Sequence, residues 1–229
     1  MCLIAIAHRA AARFPLVIAA NRDEDYARPS LPLQVWSDAP EVAGGRDALH
    51  GGSWLAVSRA GRFAAVTNLR GARTTTRSRG ALVRDYVVSN VLPSDYSEFA
   101  GFHLLAGTIG GMLQYITPHV QTLLEDGIHA FSNAPEGERW PKMDLAATQL
   151  QTALSIEDPR ALSDELLRFL GTSRNTNSIE SEVFIAGERY GTRASTVIVA
   201  SADSLWLSEQ SYGARGARAD SCRLELQRL

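Results

Sequence analysis

The chain has two cysteines, a single lysine and no long apolar run, and each scarcity excludes a class of protein. Cys2 and Cys222 are too few for the disulfide framework of a small secreted scaffold, so a reduced, cytoplasmic setting is expected, with a Cys2–Cys222 bridge left open. No segment approaches the roughly 18 uninterrupted apolar residues that a membrane-spanning helix requires. The N-terminal apolar run is broken by His8, Arg9 and Arg13 and has no small-residue cleavage site, which argues against a secretory leader and against stable membrane insertion. Lys142 is the only lysine among 23 basic residues, and a coding bias towards arginine accounts for that. Against them stand 25 acidic residues, so the balance of charge gives no reason to expect nucleic acid or an anionic membrane as partner. The five histidines, His8, His50, His103, His119 and His129, show no metal-ligand spacing such as H-x-x-x-H, and no metal is expected. Neither Gly44-Gly45 nor Gly51-Gly52 precedes a helix carrying the lysine of a phosphate loop, and no serine sits in a G-x-S-x-G elbow.

What is present is an ordinary apolar fraction, 45% over 229 residues, enough to bury the core of one domain spanning 1–229. Leu3 to Ala7 and Leu16 to Ala20 are short continuous apolar runs separated by a segment that can turn, and they read as a buried hairpin. Arg28-Pro29, Pro32 and the two glycine pairs predict an extended, turn-rich path through residues 28–52. A second hairpin follows, Ser53 to Ser58 and Arg62 to Asn68 around Ala60-Gly61. Leu82, Val83, Tyr86, Val87 and Val91 fall at helical spacing, with Ser78 as the candidate cap and Pro93 as the stop. A short helix is expected over Asp95 to Phe102, then a hairpin of His103 to Ile109 and Met112 to Thr117 about Gly110-Gly111. A strand ending at His129 to Asn133 precedes two amphipathic helices, Glu138 to Leu154 and Pro159 to Leu170. Thr172 to Ser181 reads as a loop, and Val183 to Ala186, Thr192 to Ala200, Leu205 to Glu209 and Cys222 to Leu226 read as strands. Many antiparallel strands with a central helical pair fit an α+β architecture of two stacked sheets with helices outside.

The chemistry begins at Cys2. If Met1 is removed, Cys2 carries a thiol and a free α-amine on one residue, and an amine of reference pKa about 7.7–8.0 can take the thiol proton without a histidine. The bland alternative is a small buried hydrophobe at the start of a strand. A hairpin would return the charged run Arg22, Asp23, Glu24, Asp25 to the same corner, where a guanidinium would stabilise a thiolate and Asp25 could hold the α-amine. Asn68 and Asn133 sit at predicted strand ends, where asparagine usually serves turns but can also donate to an oxyanion. Arg193 opens an otherwise apolar strand, as an edge residue or as a second guanidinium near the nucleophile.

Several stretches together resemble a known family. Met-Cys-Leu-Ile at the start, Ala-Ala-Asn-Arg-Asp-Glu at 19–24, Arg28-Pro29, Gly-Gly-Ser-Trp-Leu-Ala at 51–56, Ala-Val-Thr-Asn at 65–68, Ser-Asn-Ala-Pro at 132–135, Trp140-Pro141-Lys142 and Tyr-Gly-Thr-Arg at 190–193 are similar to the NRDE family, also called transport and Golgi organisation protein two. That family in turn resembles N-terminal nucleophile hydrolases of the choloylglycine hydrolase and penicillin V acylase group. The resemblance implies an αββα sandwich and amide hydrolysis by the second residue, without a cofactor. Carried over residue by residue, it implies Cys2 as nucleophile, Arg22 and Asp25 as an R-x-x-D pair, Asn133 as the oxyanion asparagine with Asn68 as second donor, and Arg193 as the late arginine. The NRDE signature itself stresses Asp23 and Glu24, so three carboxylates compete for one role. The resemblance also implies an alternative, a non-catalytic carrier of haem or acyl lipid; with no C-x-x-C-H in the chain, any haem would be bound non-covalently.

Overall fold

A computed structural model describes residues 2–69, 76–176 and 178–229; Met1, whose removal the nucleophile reading requires, lies outside them. The first two apolar runs form the expected hairpin, β1 (Leu3–His8) and β2 (Leu16–Asp25), antiparallel with Leu3 opposite Asn21 and His8 opposite Leu16. Every residue of β1 is buried, as a strand covered on both faces requires.

A contiguous stretch then builds a seven-stranded antiparallel sheet in sequence order: β3 (Ser30–Trp36), β4 (Ala39–Asp47), β5 (Leu55–Ser58), β6 (Arg62–Asn68), β7 (Phe102–Thr108), β8 (Leu113–Ile116) and β9 (Gln121–Leu124), with α1 (Gly80–Ser89) between β6 and β7. The rest of the chain returns to the first hairpin. β10 (Gly127–Ser132), α2 (Pro141–Ala153), α3 (Pro159–Leu170), β11 (Tyr190–Ala200), β12 (Ser204–Tyr212) and β13 (Arg218–Gln227) complete a six-stranded antiparallel sheet ordered β10-β1-β2-β11-β12-β13.

Strand alternation sorts the apolar residues into three layers. Ile4, Ile6, Leu16 and Ile18 point between the sheets to meet Leu55, Val57, Phe63 and Leu105. Leu3, Ala5, Val17 and Ala19 point the other way, under Met143, Leu150, Leu162 and Leu166 of α2 and α3. On the far sheet Ala56, Ala64 and Leu104 receive Leu82, Val83 and Val87 of α1. The layers therefore run helices, sheet, sheet, helix, the αββα sandwich expected from the sequence.

Several local expectations are corrected. Within residues 28–52 the extended path is two strands, β3 and β4, joined by a turn at 37–38, and the remaining turn falls at 48–52, beside the second glycine pair. Pro32 is tolerated because β3 is the sheet edge, with its register broken between Leu31 and Gln34. Gly44 lies within β4 because a Cβ there would sit 2.5 Å from the Leu55 carbonyl oxygen, so tight strand packing, not a loop, demands glycine. No helix forms over Asp95 to Phe102: the Asp95 carboxylate accepts from the Ser97 backbone N at 2.9 Å, a turn, and Tyr96, Phe99 and Phe102 cluster against α1. Val183 to Ala186 is irregular chain rather than a strand, with Val183 and Phe184 buried, α2 starts at Pro141 rather than Glu138, and β9 is additional. Arg79, not Ser78, is the N-cap of α1, and its C-cap is Asn90 in the left-handed conformation, φ 55°, ahead of Pro93. Both cysteines are free, so the Cys2–Cys222 bridge does not form. Among the described residues no helix is long and apolar enough to cross a membrane.

Candidate active site

The site follows from strand register. Leu3 faces Asn21 on one side and Ser132 on the other, so one step further along the ladders Cys2 comes level with Arg22 and Asn133. The start of β1, the end of β10 and the outer part of β2 therefore meet at Cys2. The backbone N–H of Cys2 donates to Asn133 Oδ1, and the Cys2 carbonyl accepts from Ser132 Oγ at 2.8 Å. Asn133 Nδ2 is engaged in turn, donating to Thr67 Oγ1 at 2.9 Å and to the Asn68 carbonyl. Asn133 thus ties Cys2 to the end of β6 and couples the two sheets. Asn68 is exposed, and its side-chain amide makes no hydrogen bond among the described residues.

Half-buried Cys2 opens into a cleft of about 270 Å³ whose walls include Arg22, Asp23, Glu24, Arg28, Asn68 and Arg79. Arg22 is only 7% exposed. Its guanidinium lies over the Trp54 ring, 4.3 Å from the centroid, and pairs with Glu24 at 3.7 Å. Burial disfavours that charge, and Glu24 and Cys2 offset part of the cost. Arg28 is held by Asp47 at 2.7 Å and reaches Glu24 at 3.8 Å. Arg79 donates to the Gly101 carbonyl at 3.1 Å and makes no ion pair among the described residues. The wall that carries it is a backbone seam: Ser53 N donates to Gly80 O at 3.0 Å, and a Cβ on Gly52 would fall 2.4 Å from the Gly80 carbonyl carbon.

The three competing carboxylates separate clearly. Asp23 is buried beside the cleft and accepts from Thr192 Oγ1 at 2.7 Å; burial pushes its carboxyl above the ordinary range, with Thr192 and Lys142 opposing. Glu24 serves as counter-ion to Arg22 and Arg28. Asp25 accepts from Ala27 N at 2.9 Å and Arg189 Nε at 2.8 Å, contacts that hold its carboxyl below the ordinary range and place it outside the cleft lining. Arg193 is the extra residue of a β-bulge between Thr192 and Ala194, opposite β2. Its guanidinium donates to the carbonyls of Asp25 and Arg28, holding the turn after β2 rather than lining the cleft.

Sequence reasoning gave no site role to Trp54, Asp47, Arg79, Thr192 or Lys142. Trp54, Lys142 and Thr192 lie in the stretches that carry the family resemblance, whereas Asp47 and Arg79 arrive through long-range packing that local pattern does not encode. The lining fits a haem poorly. Cys2 and His50 are its only cysteine and histidine among the described residues, and its walls are charged where a porphyrin face needs apolar side chains.

This αββα layering, with a cysteine leading into the innermost hairpin, is the fold of the N-terminal nucleophile hydrolases. It superposes on the mutant C2A conjugated bile acid hydrolase from Clostridium perfringens with a TM-score of 0.51, covering 99% of this chain and 92% of that one at 9% sequence identity. At that identity the likeness is one of fold. More particularly, the chain belongs to the Transport and Golgi organisation 2 family, whose model matches residues 1–212. It is 29% identical over 231 residues to the Transport and Golgi organization protein 2 homolog of Bos taurus, covering 83% of each chain. To the Homo sapiens homolog it is 27% identical over 232 residues, again covering 83% of each.

Proposed function

We propose that the chain is an N-terminal cysteine hydrolase of non-peptide amide bonds, active once Met1 is removed. The observation that carries this reading is the register that brings Cys2 level with Arg22 and Asn133 at the mouth of a charged cleft. In the reaction, the α-amine takes the Sγ proton and Sγ attacks the amide carbonyl carbon. Asn68, with its side-chain amide unengaged at the cleft, donates to the developing oxyanion. Asn133, whose amide is already committed, positions the α-amine instead. The C–N bond then breaks, the departing amine takes the proton back from the α-ammonium, and a thioester remains on Cys2. Water, losing a proton to the α-amine, adds to the thioester; the acid leaves and the thiol is regenerated. Asp23 supplies the carboxylate next to this corner, and Arg22, braced by Trp54, supplies the fixed positive charge.

The test has two arms. Intact-mass measurement of the purified protein is expected to show loss of Met1, with Cys2 labelled by 2-cyanobenzothiazole, a reagent for N-terminal aminothiols. A panel of acyl-aminocoumarins is expected to yield turnover that Cys2→Ala abolishes. Retained Met1 in active protein, or turnover that survives Cys2→Ala, refutes the mechanism. The carrier alternative has less support, because an acyl chain would meet charged walls in this cleft.

A further inference from the structure

The six-stranded sheet ends at β13, and an uncovered edge presents a row of unpaired backbone donors and acceptors. Proteins blunt such edges with proline, short strands or a covering helix. The other outer strands do so: β3 carries Pro32, β9 is four residues long and β10 packs against α2. β13 is ten residues long, has no proline, and its residues 218–221 are all exposed.

The direction of its backbone groups follows from bonds at its end. Arg228 N donates to Asp203 O at 2.8 Å, in the register that sets Gln227 opposite Ser204, so by alternation Leu226, Leu224 and Cys222 also bond to β12. Gln227, Glu225, Arg223 and Ser221 therefore turn their N–H and C=O groups to the free side. The Gln227 carbonyl is met there by Arg59 Nε at 2.7 Å, whereas the outward groups of Glu225, Arg223 and Ser221 have no backbone partner among the described residues. The side chains divide between the two faces of the sheet. Cys222, Leu224 and Leu226 are half-buried against the layer between the sheets. Arg223 and Glu225 are exposed on the α3 side, where Arg223 pairs with Asp164 and Glu225 with Arg160 at 3.2 Å.

A second copy of the chain fits this edge in one register. Across an antiparallel ladder the outward groups bond only where outward residues face outward residues. A two-fold axis on Leu224 meets that condition. It sets Arg223 opposite Glu225 of the second copy at two places, Leu224 opposite Leu224, and Cys222 opposite Leu226. Moving the axis by one residue either way sets Arg223 or Glu225 opposite itself, which like charges disfavour.

We propose that β13 is a self-association edge, at which two copies of this chain pair antiparallel about Leu224 and join their six-stranded sheets into one. On the α3 side the charges then alternate in sign, from Arg160 and Glu225 of one copy to Arg223 and Asp164 of the other. On the opposite face Cys222, Leu224 and Leu226 gain apolar neighbours that a single chain does not give them. The proposal is independent of the hydrolase reading.

Sedimentation equilibrium of the purified chain at tens of micromolar is expected to give about twice 24.9 kDa. A mass that stays at 24.9 kDa overturns the proposal in favour of an edge open to another protein's strand. Register is read by cysteine placement in a Cys222→Ser background. In Leu224→Cys the two thiols meet on the axis, with Cα atoms about 4.5 Å apart, and mild oxidation is expected to link them into a covalent dimer. In Leu226→Cys they stand roughly 13 Å apart along the ladder and are expected to stay unlinked, as in the Cys222→Ser parent, which controls for Cys2. Linking at 226 rather than 224, or equal linking in the three proteins, overturns the proposal. Independently, Glu225→Arg, a change at an exposed side chain, is expected to weaken association about tenfold, and adding Arg223→Glu to restore it to within about threefold. Equal association of wild type and both variants overturns the proposal as well.

Discussion

The two cysteines of this chain are both free and both half-buried, yet their surroundings are opposite in sign. Cys2 shares the lining of a cleft with Arg22, Arg28 and Arg79. Cys222, on β13, packs against the apolar layer between the sheets, where burial and the neighbouring Glu209 carboxylate push its thiol up. That carboxylate is itself 2% exposed and committed, accepting from Leu33 N at 2.8 Å and Thr196 Oγ1 at 2.7 Å. The contrast teaches that exposure does not distinguish these thiols; the sign of the nearest fixed charges does. Under the proposed function the first is the nucleophile and the second takes no part in the reaction.

The largest expected effect is on turnover: Cys2→Ala lowers amidase activity by at least about 10³-fold, while Cys222→Ser stays within about twofold, both measured on the same acyl-aminocoumarin. Comparable losses in both variants would erase the distinction between the two thiols. Next, Asn68→Ala is expected to reduce kcat by about 10²–10³-fold with little change in KM, the signature of a lost oxyanion donor. A change confined to KM would make Asn68 a ground-state contact only. The carboxylates should rank by position, with Asp23→Asn costing about tenfold or more in kcat/KM and Asp25→Asn about twofold. The reverse order would restore the R-x-x-D assignment.

The smallest effect concerns His103, which fastens the far side of the Cys2 corner. Its Nε2 lies 2.8 Å from the carbonyl of Ala134, the residue after Asn133, and its Nδ1 lies 2.8 Å from Tyr115 Oη. Burial holds its pKa below the ordinary histidine value. A histidine with a lower pKa folded than unfolded contributes stability that is complete above about pH 6.5 and is lost as pH falls towards the folded pKa. Melting temperature is therefore expected to drop by about 2–4 °C from this residue alone below that pH, a slope that His103→Gln removes. An unchanged slope in the variant would assign the loss to other groups.

Much of the architecture was legible because burial on both faces leaves continuous apolar runs, as in Leu3 to Ala7 and Val197 to Ala200. The β3–β4 hairpin was hidden by Pro32 and Gly44, residues that break strands locally but suit an edge and a tight interstrand approach. At the site, Cys2, Arg22 and Asn133 were identified from the chain and are brought level by register. The choice between Asp23 and Asp25 was not legible, since spacing says nothing of the bulge at Arg193 or of Thr192 and Arg189, which claim one carboxylate each. Arg79 reaches the cleft from the N-cap of α1, whose packing no short motif records.

The seam between Gly52 and Gly80 bears on what sets the width of the cleft. There main chain lies against main chain with no side chain between, so the width of the cleft on that side is a constant of the backbone. The remaining lining of the cleft, His50, Thr76 and Arg77 among it, is built of side chains, so on those sides its width depends on residue type rather than on main chain. One side of the cleft is thus set by backbone contact and the others by the side chains that line it.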